Sequence, residues 1–248
     1  MLAIIGGTGL TQLSNLEITH RQVMRTPYGE PSGALTFGLI NQHEVMFIAR
    51  HGYGQTIPPH LVNYRANMWA LHDQGAKRIV SVASVGGIRD DLLPGTIVVP
   101  DQLLDYTHSR ASTYFDAHDE MVTHIDFTHP YSQALRKQIL AAAGKAKEKF
   151  IDGGVYAATH GPRLDTIAEI VRYERDGADM VGMTGMPEAS LARELGLSYA
   201  AIAVVVNFAA GRGDSRDSIH LESVGAVAQP ALVRVKKVLE KLVENDGE

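Results

Sequence analysis

The sequence contains no cysteine. That excludes a disulfide framework and any thiolate metal site. It also lacks an excess of positive charge: 23 Lys and Arg stand against 28 Asp and Glu, a formal net charge of −5, with no block of basic residues. Such a balance gives no reason to expect a nucleic-acid or membrane-surface partner. No apolar run reaches the roughly 20 residues that span a bilayer. Met1 leads straight into Leu2-Ala3-Ile4-Ile5, which reads as a short strand rather than the apolar core of a secretory signal. Internal repeats, low-complexity segments and linkers are missing too, and only the polar stretch 244–248 looks frayed. The expectation is a cytoplasmic protein folded as one domain over residues 1–248, whose 45% hydrophobic residues are ample for a core.

What is present alternates between two patterns. Buried strands are expected at 2–5, 35–40, 44–49, 78–83, 96–100, 154–158, 180–183 and 199–206. Helical periodicity falls at 62–74, 130–144, 166–176, 187–195 and 223–244. Asn41-Gln42 between two apolar runs suggests a hairpin, so the sheet should be mixed rather than purely parallel. Strands alternating with helices predict an α/β layered fold with its functional loops at strand ends.

Several stretches carry chemistry. "IIGGTGL", residues 4–10, is a strand followed by a Gly-rich turn, which offers backbone N–H groups and the Thr8 hydroxyl to an anion. A dinucleotide fingerprint would need Gly or Ala at Gln12, so that reading fails at its third glycine. A structural turn and a phosphate site both remain open on this motif alone. In "IARHGYGQ", Arg50 and His51 stand where an apolar strand stops; a guanidinium fork matches phosphate oxygens and an imidazole can add a further hydrogen bond. Ser84-Val85-Gly86-Gly87 reads as a turn after a buried strand, where backbone N–H groups at Ser84 and Val85 could complete an anion nest. Asp165 stands at the entrance to one helix, and Met183-Thr184 lie in the loop before another. Taken singly, Asp165 reads equally as a residue favoured by the helix dipole and Met183 as core. Eleven histidines include no HExxH pair, and His124 and His129 flank Asp126 in an expected loop, so no metal site is expected.

Together "IIGGTGL", "ARHG", "VNYRANMWAL", "GGIRDDLLPGTIVVPDQ" and "GADMVGMTGMPEASLARELGLSYAAIAVVVN" resemble the methylthioadenosine phosphorylase branch of the trimeric purine nucleoside phosphorylase family, in order from Ile4 to about Val224. The resemblance implies a three-layer phosphorylase fold, with a mixed, distorted central sheet flanked by helices, assembled as a homotrimer. It implies a small-molecule nucleoside and inorganic phosphate as substrates, with no cofactor. It places the phosphate on Thr8, Arg50, His51, Ser84 and Thr184. Met183 falls where the family packs a methionine on the ribose, and His124 where a residue is lent across a subunit boundary to the 5′ end of the sugar. Leu164, Asp165, Asn207, Ala209, Leu221 and Val224 fall at the remaining substrate contacts.

Two positions speak to the base. Adenosine-type members of the branch carry Asp where this chain has Asn207, and a second Asp at Ala209. An amide offers one acceptor and one donor, which suits a protonated purine N7 beside a 6-oxo group. Asp165 as a carboxylate accepts from the N1–H of a 6-oxopurine but repels the N1 lone pair of adenine. At the sugar end, Leu221 replaces the histidine with which inosine and guanosine enzymes bond the 5′-hydroxyl, and a leucine packs a methylthio group instead. The expected reaction is phosphorolysis of 5′-methylthioinosine, with Asn207 and Asp165 as the catalytic pair. A shift of one residue would bring His220 into the pocket and favour a general 6-oxopurine nucleoside; methylthioadenosine is the other alternative.

Overall fold

The computed structural model describes residues 1–116 and 123–244. Strand β1 (Leu2–Gly6) is buried along its whole length. Leu2 and Ile4 enter one core while Ala3 and Ile5 enter another, as a strand covered on both faces requires. It pairs in parallel with β4 (His43–Ala49) and β5 (Arg78–Gly87). β3 (Leu35–Ile40) folds back on β4 through the expected hairpin, with Asn41 and Gln42 at φ 49° and 67°. β2 (Glu17–Gln22) forms the edge beside β3.

Beyond β5 the sheet divides. β11 (Ser198–Phe208) follows β5 in parallel from end to end and also pairs with β6 (Ile97–Val99), which in turn pairs with β8 (Ile151–Asp152). β10 (Met180–Gly182) instead pairs antiparallel with the last residues of β5, then continues to β9 (Val155–Ala158) and β7 (Gln102–Asp105). The sheet is therefore mixed and distorted, as expected. Helices α1 (Tyr64–Asp73) and α4 (Glu188–Glu194) supply apolar residues to one core, and α2 (Gln133–Lys145) and α5 (Val224–Glu244) to the core on the opposite face. A third, smaller core forms where Ile170 and Tyr173 of α3 (Ile167–Arg175) meet Ala157, Val181 and Ala209. Among the described residues no helix is long and apolar enough to cross a membrane.

The structure corrects the sequence reading in two places. Ser84-Val85-Gly86-Gly87 is not a turn: β5 runs on through Gly87, held by β11 on one side and by β10 on the other. β1 lets go of β5 after Ser81, so the glycines mark the place where β5 exchanges one neighbour for another. Ser84 therefore reaches the site from extended backbone, and the nest expected there does not form. In addition, β2, β7 and β8 had no periodic signal. β2 is exposed along almost all of its length and β8 has two residues, so only long-range pairing defines them.

Candidate active site

A cavity of about 350 Å³ opens at the carboxyl ends of the parallel strands, the place where open α/β sheets bind ligands. Thr8 follows β1, Arg50 and His51 follow β4, Ser84 belongs to β5, Met183 and Thr184 follow β10, and Asn207 and Ala209 close β11. Leu164 and Asp165 arrive on the loop between β9 and α3, Leu221 on the single helical turn before α5, and Val224 as the first residue of α5. All of these expected residues line this one cavity. His124 does not: it is exposed, on the chain leading to α2.

At one end Arg50 is 0% exposed. Its Nε donates to Glu188 Oε2 at 2.8 Å, and its Nη2 donates to Glu188 Oε1 at 3.0 Å and to the Ser81 hydroxyl at 2.5 Å. Nη1 donates to the Val82 carbonyl at 3.1 Å. The fork expected to hold an anion is thus turned onto Glu188, and one N–H on Nη1 remains for a ligand. Glu188 is buried on α4 and also accepts from the Tyr199 hydroxyl at 2.8 Å. Burial pushes its carboxyl upward, but the charge of Arg50 and the hydrogen bonds from Arg50, Ser81 and Tyr199 together more than reverse this and leave it below the usual carboxylate range. The Gly-rich turn lies against the same guanidinium: a Cβ on Gly7 would stand 2.5 Å from the Val82 carbonyl oxygen and 3.0 Å from Arg50 Nη1. Only glycine permits that approach.

His51 Nδ1 lies 2.8 Å from the Ile57 carbonyl oxygen, which can only accept, so Nδ1 carries the proton. Burial and then the charge of Arg50 hold the ring below the ordinary histidine range, which keeps it neutral with Nε2 as a lone pair. A bound anion would supply opposite charge and favour the doubly protonated ring. Thr184 is buried, its backbone N–H donating to the Tyr156 hydroxyl at 3.3 Å.

At the other end the ladder between β5 and β11 slips by one residue between Val205 and Asn207. This bulge brings two consecutive side chains, Val206 and Asn207, to the cavity wall, which strict alternation would forbid. Asn207 Nδ2 donates one hydrogen to the Phe208 carbonyl at 2.6 Å. The second N–H and Oδ1 stay free for a ligand. Asp165 precedes α3 without capping it, because Thr166 and Glu169 form the capping box. Its carboxyl accepts from the Tyr173 hydroxyl at 3.3 Å and the Thr159 hydroxyl at 3.5 Å. Burial, then the nearby Glu169, raise its pKa above the ordinary value.

Met183, Pro59, Ile219, Leu221 and Val224 add apolar surface to the cavity lining. His220 does not line this cavity but an adjoining groove that shares Val206 and Asn207 with it, and its Nδ1 lies 3.4 Å from Glu222 Oε1. Sequence reasoning missed Pro59, Ile219 and the buried Glu188. A fully buried arginine needs a counter-charge, but nothing local to Arg50 pointed to a carboxylate 138 positions away. No group of three His, Asp or Glu side chains able to hold a metal ion occurs among the described residues.

The sequence profile of the phosphorylase superfamily matches residues 1–244. A probable S-methyl-5′-thioinosine phosphorylase from Pseudomonas syringae pv. tomato is 52% identical over 241 residues, covering 97% of each chain. A 6-oxopurine nucleoside phosphorylase from Pyrococcus furiosus is 41% identical over 243 residues, covering 96% of this chain and 90% of its own. The solved structure of methylthioadenosine phosphorylase from Schistosoma mansoni in complex with adenine superposes with a TM-score of 0.93 at 31% identity, covering 99% of this chain and 91% of that one.

Proposed function

The chain belongs to the phosphorylase superfamily and is a nucleoside phosphorylase, and we propose that its substrate is S-methyl-5′-thioinosine. Inorganic phosphate is the co-substrate, and no cofactor takes part. A phosphate oxygen bonds to C1′ as the C1′–N9 bond breaks and its electron pair stays with the purine; the proton that the phosphate gives up reaches purine N7 through solvent, giving hypoxanthine and 5-methylthioribose 1-phosphate. The phosphate sits among Thr8, Arg50, His51, Ser84 and Thr184, and its charge faces the cationic sugar of the transition state. Asn207 Oδ1 accepts from N7–H as charge builds on the departing purine, and its free N–H donates to O6. Asp165 accepts from N1–H. Met183 packs on the ribose. Leu164 and Ala209 complete the base pocket.

The observation that carries this reading is a pairing: an amide and a carboxylate at the base end, and Ile219, Leu221 and Val224 at the sugar end with His220 outside. The name of the Pseudomonas syringae relative agrees with it. We further infer a homotrimer working in purine salvage in the cytoplasm, in which exposed His124 reaches a neighbour's cavity. The second reading, a general 6-oxopurine nucleoside phosphorylase, keeps the base end unchanged. It is favoured by Leu221, which is 63% exposed in the single chain and so leaves the 5′ end open.

The deciding experiment is a panel of methylthioinosine, inosine, guanosine, methylthioadenosine and adenosine, each with and without phosphate. The expected result is phosphate-dependent release of hypoxanthine, fastest from methylthioinosine. Faster cleavage of methylthioadenosine would overturn the assignment.

A further inference from the structure

Two loops supply part of the cavity's lining. One leaves β9 at Thr159 and carries Leu164 and Asp165; the other leaves β10 and carries Met183 and Thr184 toward α4. Arg110, on the segment after β7, lies between them. Its Nη1 donates to the Met183 carbonyl at 2.9 Å and the Met186 carbonyl at 2.6 Å. Its Nη2 donates to the His160 carbonyl at 2.7 Å and the Thr159 carbonyl at 3.3 Å. The Tyr64 hydroxyl accepts from Nη1 at 3.3 Å, and the guanidinium carbon stands 5.3 Å from the centre of the Tyr64 ring. One side chain thus engages four backbone carbonyls, two from each loop.

The loops also touch directly. Gly161 has φ +67°, and a Cβ there would come within 2.5 Å of the Met183 sulfur. Gly161 thus lies against the Met183 side chain, while Arg110 ties the two loop backbones together. We propose that Arg110 is a positioning residue, fixing the loop that reads the base against the loop that holds ribose and phosphate. A planar guanidinium suits this task because its donors are fixed relative to one another, whereas a lysine ammonium is a point charge on a flexible stem. Phosphorolysis needs C1′ and the phosphate oxygen aligned while the base is gripped, so a shift of one loop weakens the reaction more than it weakens either grip alone.

This inference rests on the nucleoside phosphorylase reading, and its test uses whichever nucleoside the wild-type enzyme turns over best. Failure of the wild type to release base with phosphate would count against that reading alone. The variants are Arg110→Ala and Arg110→Lys in the full chain, measured for kcat and both KM values, for the Kd of free hypoxanthine, and for recovery of activity with dilute guanidinium chloride. Arg110→Ala is expected to lose about ten- to a hundredfold in kcat/KM, the scale of a small misplacement. Free hypoxanthine, which meets the base loop and the end of β11 but not the loop that holds ribose and phosphate, should bind within about twofold of wild type. Guanidinium below denaturing concentrations should restore several-fold of the lost activity. If Arg110→Ala does not fold, Arg110→Lys carries the test, with the same selective loss of kcat/KM over hypoxanthine binding. Wild-type kcat/KM in either folded variant, or equal loss of hypoxanthine affinity without guanidinium recovery, would overturn the proposal.

Discussion

Arg50 and Glu188 face each other in the protein interior through two hydrogen bonds of 2.8 and 3.0 Å, and neither side chain is more than 1% exposed. Removing one partner of such a pair leaves the other charge uncompensated, at a cost of about 3–5 kcal/mol. Glu188→Gln should therefore lower stability by that order. If Arg50 faces the phosphate site, a bound phosphate supplies part of the missing counter-charge. Phosphate should then raise the melting temperature of the variant more than that of the wild type, as linkage of ligand to the folded state requires. Equal shifts in thermal unfolding with and without phosphate would place Arg50 outside the anion site.

Histidine protonation sets the second expectation. Burial and Arg50 hold the folded-state pKa of His51 below the value of about 6.5 found in unfolded chains. In the window between those values the unfolded state binds more protons, so stability falls as pH drops through it. His160 is shifted the same way, first by burial and then by His108, and adds to the effect. Asp165, raised by burial, has the opposite sign and acts lower, near the carboxylate range, where acid favours the folded state. Urea midpoints should thus decline between pH 7.5 and 5.5, and His51→Gln should flatten the decline without abolishing it. An unchanged slope in that variant would assign the pH dependence to other groups.

The outline of this fold was legible where burial repeats locally. β1 and the middle of β11 are continuous apolar runs and β3 is largely apolar, and these strands lie within a residue or two of the expected spans. What failed was decided at long range. Gly86 and Gly87 look like a turn, yet pairing with β10 and β11 keeps them extended. The bulge before Asn207 depends on its register against Gly86 and leaves no mark in "AVVVNF". The same holds for Glu188 and Arg110. The residues that line the cavity could be read, while those that hold them in place arrive from distant segments through contacts that no local pattern encodes.

Leu221 lines the cavity while His220 lines the adjoining groove, so the sugar-end register can be tested directly. Burying the methyl group and sulfur against leucine is worth on the order of 1–2 kcal/mol, about five- to thirtyfold in preference over a 5′-hydroxyl. Leu221→His should reduce the ratio of methylthioinosine to inosine kcat/KM by at least that factor, and His220→Ala should leave it unchanged. A ratio that responds to His220 and not to Leu221 would revive the general 6-oxopurine reading.

Asn207, proposed as the reader of the purine, also binds its own backbone, donating to the Phe208 carbonyl at 2.6 Å. With Asp in its place, a carboxylate oxygen would face that carbonyl with no proton between them. The carboxyl must then turn away or hold a proton, so Asn207→Asp should lose about 1–3 kcal/mol of stability, the scale of an unmet buried hydrogen bond. It also removes the donor to O6 while Asp165 still repels adenine N1. The single change should mainly damage methylthioinosine cleavage, and only Asn207→Asp with Asp165→Ser should gain methylthioadenosine activity. Sites built to bond a polar group discriminate by ~10⁴ or more, because the wrong ligand leaves buried groups unpaired. The wild type should thus favour the oxo-purine by a wide margin. Equal specificity constants for methylthioinosine and methylthioadenosine in the wild type would mean that Asn207 does not read the 6-position, and the proposed substrate would fall with it.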